Sequence, residues 1–172
     1  SYPFFCSTVA GDAEAVKNLV AEVEEKMGQI DILVNNAGLT RDNLFIRMSD
    51  EDWQLVLDVN LSAGFKLAKA AVRGMMKRRF GRIIGIASVV GVMGNAGQAN
   101  YSASKAAISS YSMALYSEVK PYGIEVCVIM PGDVATGFTA ARVKNSDGDE
   151  EYGGRISRGV AVMEHDEMHG ID

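Results

Sequence analysis

The sequence is poor in cysteine, in long apolar runs and in net positive charge. It holds only two cysteines, Cys6 and Cys127, both in apolar runs. That excludes a disulfide framework and predicts two buried thiols. No apolar run approaches the ~18–20 residues a membrane span needs. The opening "SYPFFCSTVA" lacks a basic stretch and a long apolar core, so it does not read as a signal peptide. Positive charge is in deficit, with a formal net charge of −5, which argues against general nucleic-acid binding. No internal repeat and no long linker interrupt the chain. The first residue is not a methionine, and a cut start is expected.

What is present suits one domain of 172 residues, 48% apolar, with material for a sizeable core. Two patterns alternate. "IDILV" (30–34), "RIIGIA" (82–87) and "GIEVCVIM" (123–130) are short runs rich in Ile and Val. They predict strands of a parallel sheet, buried on both faces. "YPFFCSTV" (2–9) is a fourth candidate. Between them, "DAEAVKNLVAEVEEKMG" puts Val16, Leu19, Val20 and Val23 on one helical face and stops at Gly28. A long helical stretch from Ser49 to Arg79 is expected to break near Asn60–Gly64, and Ser49 with Asp52 three residues on signals its start. A third helix, "YSASKAAISSYSMALYSEVK", should end at Pro121 and Gly123. Strand alternating with helix predicts right-handed crossovers and an α/β, Rossmann-like, doubly wound sheet.

Ligands of such sheets bind beyond the carboxyl ends of the strands. There the sequence places "NNAG" (35–38), "SVVGVMGNAG" (88–97) and "PGDVATG" (131–137), all small, polar or glycine-bearing. Each alone is ordinary turn chemistry; three at one sheet edge suggest a site. Next to them, Tyr101 and Lys105 stand four apart on one helix face, surrounded by small residues. A phenol ordinarily titrates near ~10, too high for efficient proton transfer at neutral pH, and a nearby ammonium lowers it. The pair is a candidate acid. Ser88 can donate a hydrogen bond beside the tyrosine, or simply cap a turn. Asn60 can hold a water with its side-chain amide, or simply interrupt a helix.

"NNAG" after a strand, Asn60, Ser88, Y-x-x-x-K thirteen residues after that serine, then P-G with Thr136 four residues after the glycine resemble, in order, the short-chain dehydrogenases/reductases. From about Asp12 to Pro131 the chain is similar to the 3-oxoacyl-carrier-protein reductases of that family. The resemblance implies NAD- or NADP-dependent reduction of a carbonyl, NADP being favoured. Tyr101 would be the general acid, and Lys105 would lower its pKa and bind the nicotinamide ribose. Ser88 would polarise the carbonyl, and Asn60 would hold a relay water. Asn36, Ala37 and Gly38 would lie along the adenosine, and Pro131, Gly132, Val134 and Thr136 would line the nicotinamide pocket. It also implies a small-molecule or acyl-carrier-protein-bound ketone as substrate, a homo-oligomer (dimer or tetramer) and a cytoplasmic location.

Other features fit the family less well. Its opening strand and glycine-rich turn, which cradle the pyrophosphate, are not recognisable, nor is its last strand. Truncation at both ends is therefore expected, with residues 137–172 as a substrate-loop or lid region. The acidic loop "KNSDGDEEYGG" (144–154) is that lid, or a plain solvated loop. Asp133 stands where carrier-protein reductases often have an apolar residue. His165 and His169 are i, i+4, but position 166 is Asp and no third ligand is evident, so no metal is expected. "KRRFGR" (77–82) can receive an acidic carrier protein, or simply balance a helix C-terminus. A non-catalytic relative of the same fold, and an epimerase or dehydratase using the same Tyr–Lys pair, are the alternatives.

Overall fold

A computed structural model describes residues 13–132 and, beyond them, only 150, 154, 157, 158, 161 and 165. The candidate strand at 2–9, Cys6, Val134, Thr136 and His169 lie outside the described residues, as does nearly all of the 137–172 region. The elements run α1 (Ala13–Met27), β1 (Ile32–Asn35), α2 (Asp50–Leu57), α3 (Ala63–Arg78), β2 (Gly81–Ile86), α4 (Val90–Met93), α5 (Ala99–Val119) and β3 (Ile124–Ile129). Short 3₁₀ turns occupy Phe45–Arg47 and Lys120–Tyr122. Among the described residues no helix is long and apolar enough to cross a membrane.

The three strands form one parallel sheet in the order β1-β2-β3. Val34 pairs with Ile84, and Ile84 with Cys127. Every crossover steps in the same direction, so right-handed connections put α3 and α5 on one face of the sheet. The core forms there. Ala68, Ala71 and Met75 of α3, Ile83 of β2, Val119 of α5 and Ile124 of β3 make one buried cluster. Burial of a side chain such as Ile83 or Met75 contributes about 1.5–3 kcal/mol.

The opposite face corrects the expectation of strands buried on both sides. Ile32 and Val34 of β1 and Ile129 of β3 are half-exposed or more. Cys127, expected to be a buried thiol, is exposed. The reason is parity: these residues alternate with the covered ones, and among the described residues α3 and α5 pack on the other side.

The helix boundaries follow local chemistry. Ser49 Oγ accepts the Asp52 N–H at 3.0 Å, capping α2. α1 ends where Gly28 takes φ 86°. The expected break in the long helix is a π-helical segment at Asp58–Ser62, between α2 and α3. α3 ends on Arg79 at φ 56°, a left-handed cap without glycine. Its guanidinium donates to Pro121 O at 2.8 Å, which holds it there.

Candidate active site

Three segments meet at the carboxyl edge of the sheet. The loop after β1 is tied to the loop before α5 by Asn43 N–H donating to Gly97 O at 2.9 Å. The loop after β2 is tied to the end of β3. Ala87 N–H donates to Ile129 O at 2.8 Å, and Val89 N–H to Pro131 O at 3.2 Å. α5 runs beneath this edge and carries Tyr101 in its first turn.

Lys105 is 4% exposed, although it carries a charge. Its Nζ donates to Ile86 O at 2.8 Å and lies 5.5 Å from the centroid of the Tyr101 ring. Among the described residues no carboxylate lies within salt-bridge distance of it. Burial lowers its pKa from the ordinary 10.5 to about 8. An ammonium kept this far from solvent acts on an acidic proton that stands beside it.

Asn60 is buried, and its amide is bonded at both ends. Oδ1 accepts Leu39 N–H at 2.8 Å, while Nδ2 donates to Leu39 O at 3.0 Å and to Ser104 Oγ at 3.2 Å. The side chain thus pins the loop after β1 to α5. The π-helical segment turns it inward. Gly38 sits against this group: a Cβ there would lie 3.4 Å from Asn60 Oδ1 and 3.7 Å from Lys105 Nζ.

Ser88 follows β2. Its Oγ accepts the Val90 N–H at 3.2 Å, the capping role that its position also allowed. Gly91 fixes α4 on α5, because a Cβ there would approach Ala106 N to 2.7 Å and the Lys105 carbonyl carbon to 2.8 Å. Asn36, Ala37 and Gly132 are exposed and Pro131 is half-buried, all at the same edge.

A model of the short chain dehydrogenase family matches residues 2–147. The chain belongs to this family. The 3-oxoacyl-[acyl-carrier-protein] reductase FabG of Escherichia coli is 50% identical over 130 residues, covering 76% of this chain and 53% of its own length. The enzyme of that name from Haemophilus influenzae is 47% identical over 146 residues, 85% of this chain and 58% of its own. That from Vibrio cholerae is 47% identical over 128 residues, 74% and 52%. The chain spans about half the length of the curated relatives it matches. The three-stranded parallel sheet is consistent with part of a Rossmann-like short-chain dehydrogenase fold.

Sequence reasoning missed two polar residues of this short-chain dehydrogenase segment. Ser104, fully buried, accepts from Asn60 and donates to Tyr101 O at 2.7 Å. Asn100, also fully buried, accepts the Tyr101 N–H with Oδ1 at 2.7 Å and donates to Arg41 O at 2.9 Å. Both flank the Tyr–Lys pair in "ANYSASK", and polar residues beside a candidate acid were the available signal.

Proposed function

We propose that the protein carrying this segment reduces the ketone of a 3-oxoacyl thioester, or of a similar compound, at the expense of NADP or NAD. The observation that carries the reading is the Tyr101–Lys105 pair. A buried ammonium 5.5 Å from a phenol ring is an arrangement for stabilising phenolate. The relatives' name, 3-oxoacyl-[acyl-carrier-protein] reductase, supports the substrate class.

The described residues fit a nicotinamide nucleotide. Gly38 leaves the approach to Lys105 Nζ without a side chain, and nothing lies within 4 Å of a Cβ at Gly132. An ammonium has three N–H donors, and Ile86 O takes one at Lys105. The others suit the vicinal hydroxyls of a ribose. Asn36, Ala37 and Gly38 would hold the adenosine side, and Pro131 and Gly132, with Val134 and Thr136, the nicotinamide side. The cofactor would supply the hydride.

Tyr101 gives the proton to the carbonyl oxygen and takes it back in the reverse direction. Lys105 holds the resulting phenolate. Ser88 donates its hydroxyl proton to the carbonyl oxygen while its Oγ still accepts the Val90 N–H. Asn60 keeps the loop after β1 against α5, and a water at the helix break beside it links Lys105 to solvent.

The same reading makes the protein a cytoplasmic dimer or tetramer. Half-exposed Phe65 on α3 and exposed Met113 on α5 are apolar surface available to such an assembly. The deciding experiment is NADPH oxidation by the complete protein, with a 3-oxoacyl thioester as substrate. Absence of both cofactor binding and turnover would favour the non-catalytic alternative.

A further inference from the structure

The first turn of α5 is tied down from outside the helix. Tyr101 is its third residue, so the Tyr101 N–H is one of those a helix start leaves without a partner inside the helix. The carbonyl four residues back, that of Gly97, lies outside the helix and accepts from Asn43 N–H at 2.9 Å, across the site. Gln98, the residue before the helix, makes no side-chain cap. The Tyr101 N–H is taken by the side chain of its own neighbour, Asn100 Oδ1, at 2.7 Å. The other end of that amide, Nδ2, donates to Arg41 O at 2.9 Å. Asn100 is fully buried, so neither bond has water as a substitute. Gln98, 3% exposed, repeats the connection: Nε2 donates to Asp42 Oδ2 at 2.9 Å, and Oε1 accepts from Asn95 Nδ2 at 2.9 Å.

We propose that Asn100 is a positioning residue for the acid, its amide bridging the Tyr101 N–H and the Arg41 carbonyl so that the loop after β1 sets where the Tyr101 phenol stands. This rests on Tyr101 being the proton donor. Only a side chain with an acceptor and a donor on one short stem makes both bonds. Alanine makes neither, and leaves a buried N–H and a buried C=O competing for the Gly97 and Asn43 groups. The helix start then has a choice of hydrogen-bond registers. The backbone of Tyr101 moves with that choice, and the phenol, at the end of a long side chain, moves further.

The test is Asn100→Ala in the complete reductase. The expected result is a fall in kcat of about 10- to 100-fold, with the KM for the ketone within about twofold. The solvent deuterium isotope effect on kcat should rise, because a displaced acid makes proton transfer slower relative to the other steps. A lowered melting temperature with kcat per folded molecule and isotope effect unchanged would reduce Asn100 to packing and overturn the proposal. Tyr101→Phe is measured beside it. If that variant keeps its turnover, the proton-donor reading fails, which is a separate outcome. Should Asn100→Ala not fold, amide exchange in the unsubstituted protein decides. The Tyr101 N–H should exchange at least about tenfold more slowly than those of Ala99 and Asn100 in the same first turn. Equal exchange would mean that the Asn100 bond is not kept.

Discussion

Lys105 Nζ donates to the carbonyl of Ile86, the last residue of β2, while lying 5.5 Å from the Tyr101 ring centroid. One cation therefore fastens α5 to the central strand and faces the proposed acid. Its substitution should have two separable effects.

The first is on chemistry. In the complete protein, Tyr101→Phe should lower the proposed ketone reduction by at least about 10²-fold with the fold intact, since only the transferable proton is lost. Circular dichroism and steady-state NADPH oxidation check both halves. Lys105→Met should lower turnover comparably and weaken NADPH binding as well.

The second is on stability and has the opposite sign. Keeping Lys105 charged in a buried site is unfavourable, and burial lowers its pKa to about 8 from 10.5. At pH 7 Lys105→Met should therefore be more stable than the parent, by ~1–3 kcal/mol less the lost bond to Ile86 O. The unfolded chain binds more protons than the folded one between the two pKa values, so parent stability gains from this group as pH rises through that window. The gap between parent and variant should narrow between pH 8 and pH 10.5. Urea unfolding across that range measures it, and a gap that widens would contradict the assignment.

The basic segment at the end of α3 calls for a selective test. Arg78 is engaged inside the fold, donating to Ile30 O at 2.6 Å and lying 3.7 Å from Asp31. Lys77 and Arg79 are exposed, Arg79 with a bond to Pro121 O, so unfolding of the charge-reversed variant is measured beside its activity. Reversing those two to Glu should slow reduction of a carrier-bound substrate and spare a small thioester. The difference should shrink as salt rises. Equal effects on both substrates would argue against carrier-protein docking.

A polypeptide of these 172 residues alone should bind NADPH weakly. The described residues carry the proposed ribose contacts but no helix start preceded by a strand and a glycine-rich turn, the usual anchor for a pyrophosphate. Ile32, Val34 and Ile129 expose apolar surface on one sheet face, so self-association should accompany it. Titration calorimetry and sedimentation test the two parts. Micromolar NADPH binding by a monomer would refute both.

The strand runs and helix limits were legible because they rest on local chemistry: Ile/Val runs, the Ser49 cap, Gly28, Pro121. The sidedness of the sheet was not. "IDILV" and "GIEVCVIM" read as continuous apolar runs, and nothing in them says which parity a helix will cover; Cys127 fell on the uncovered side. Tyr101 and Lys105 stood out by spacing. Asn60 stood out too, but its bonds go to Leu39 and Ser104, 21 and 44 residues away, which no local pattern encodes. Asn100 was hidden for the same reason, since its partner Arg41 is 59 residues distant.

Gly91 brings α4 down onto the backbone of α5 at Lys105 and Ala106, with no side chain between them. The spacing between Ser88 and the Tyr–Lys helix is thus held by main chain, which substitution elsewhere on α4 leaves alone. Val92 and Met93 are exposed on that same short helix. Drift at these two positions can reshape the surface near the candidate site, generation after generation, without moving the spacing beneath it.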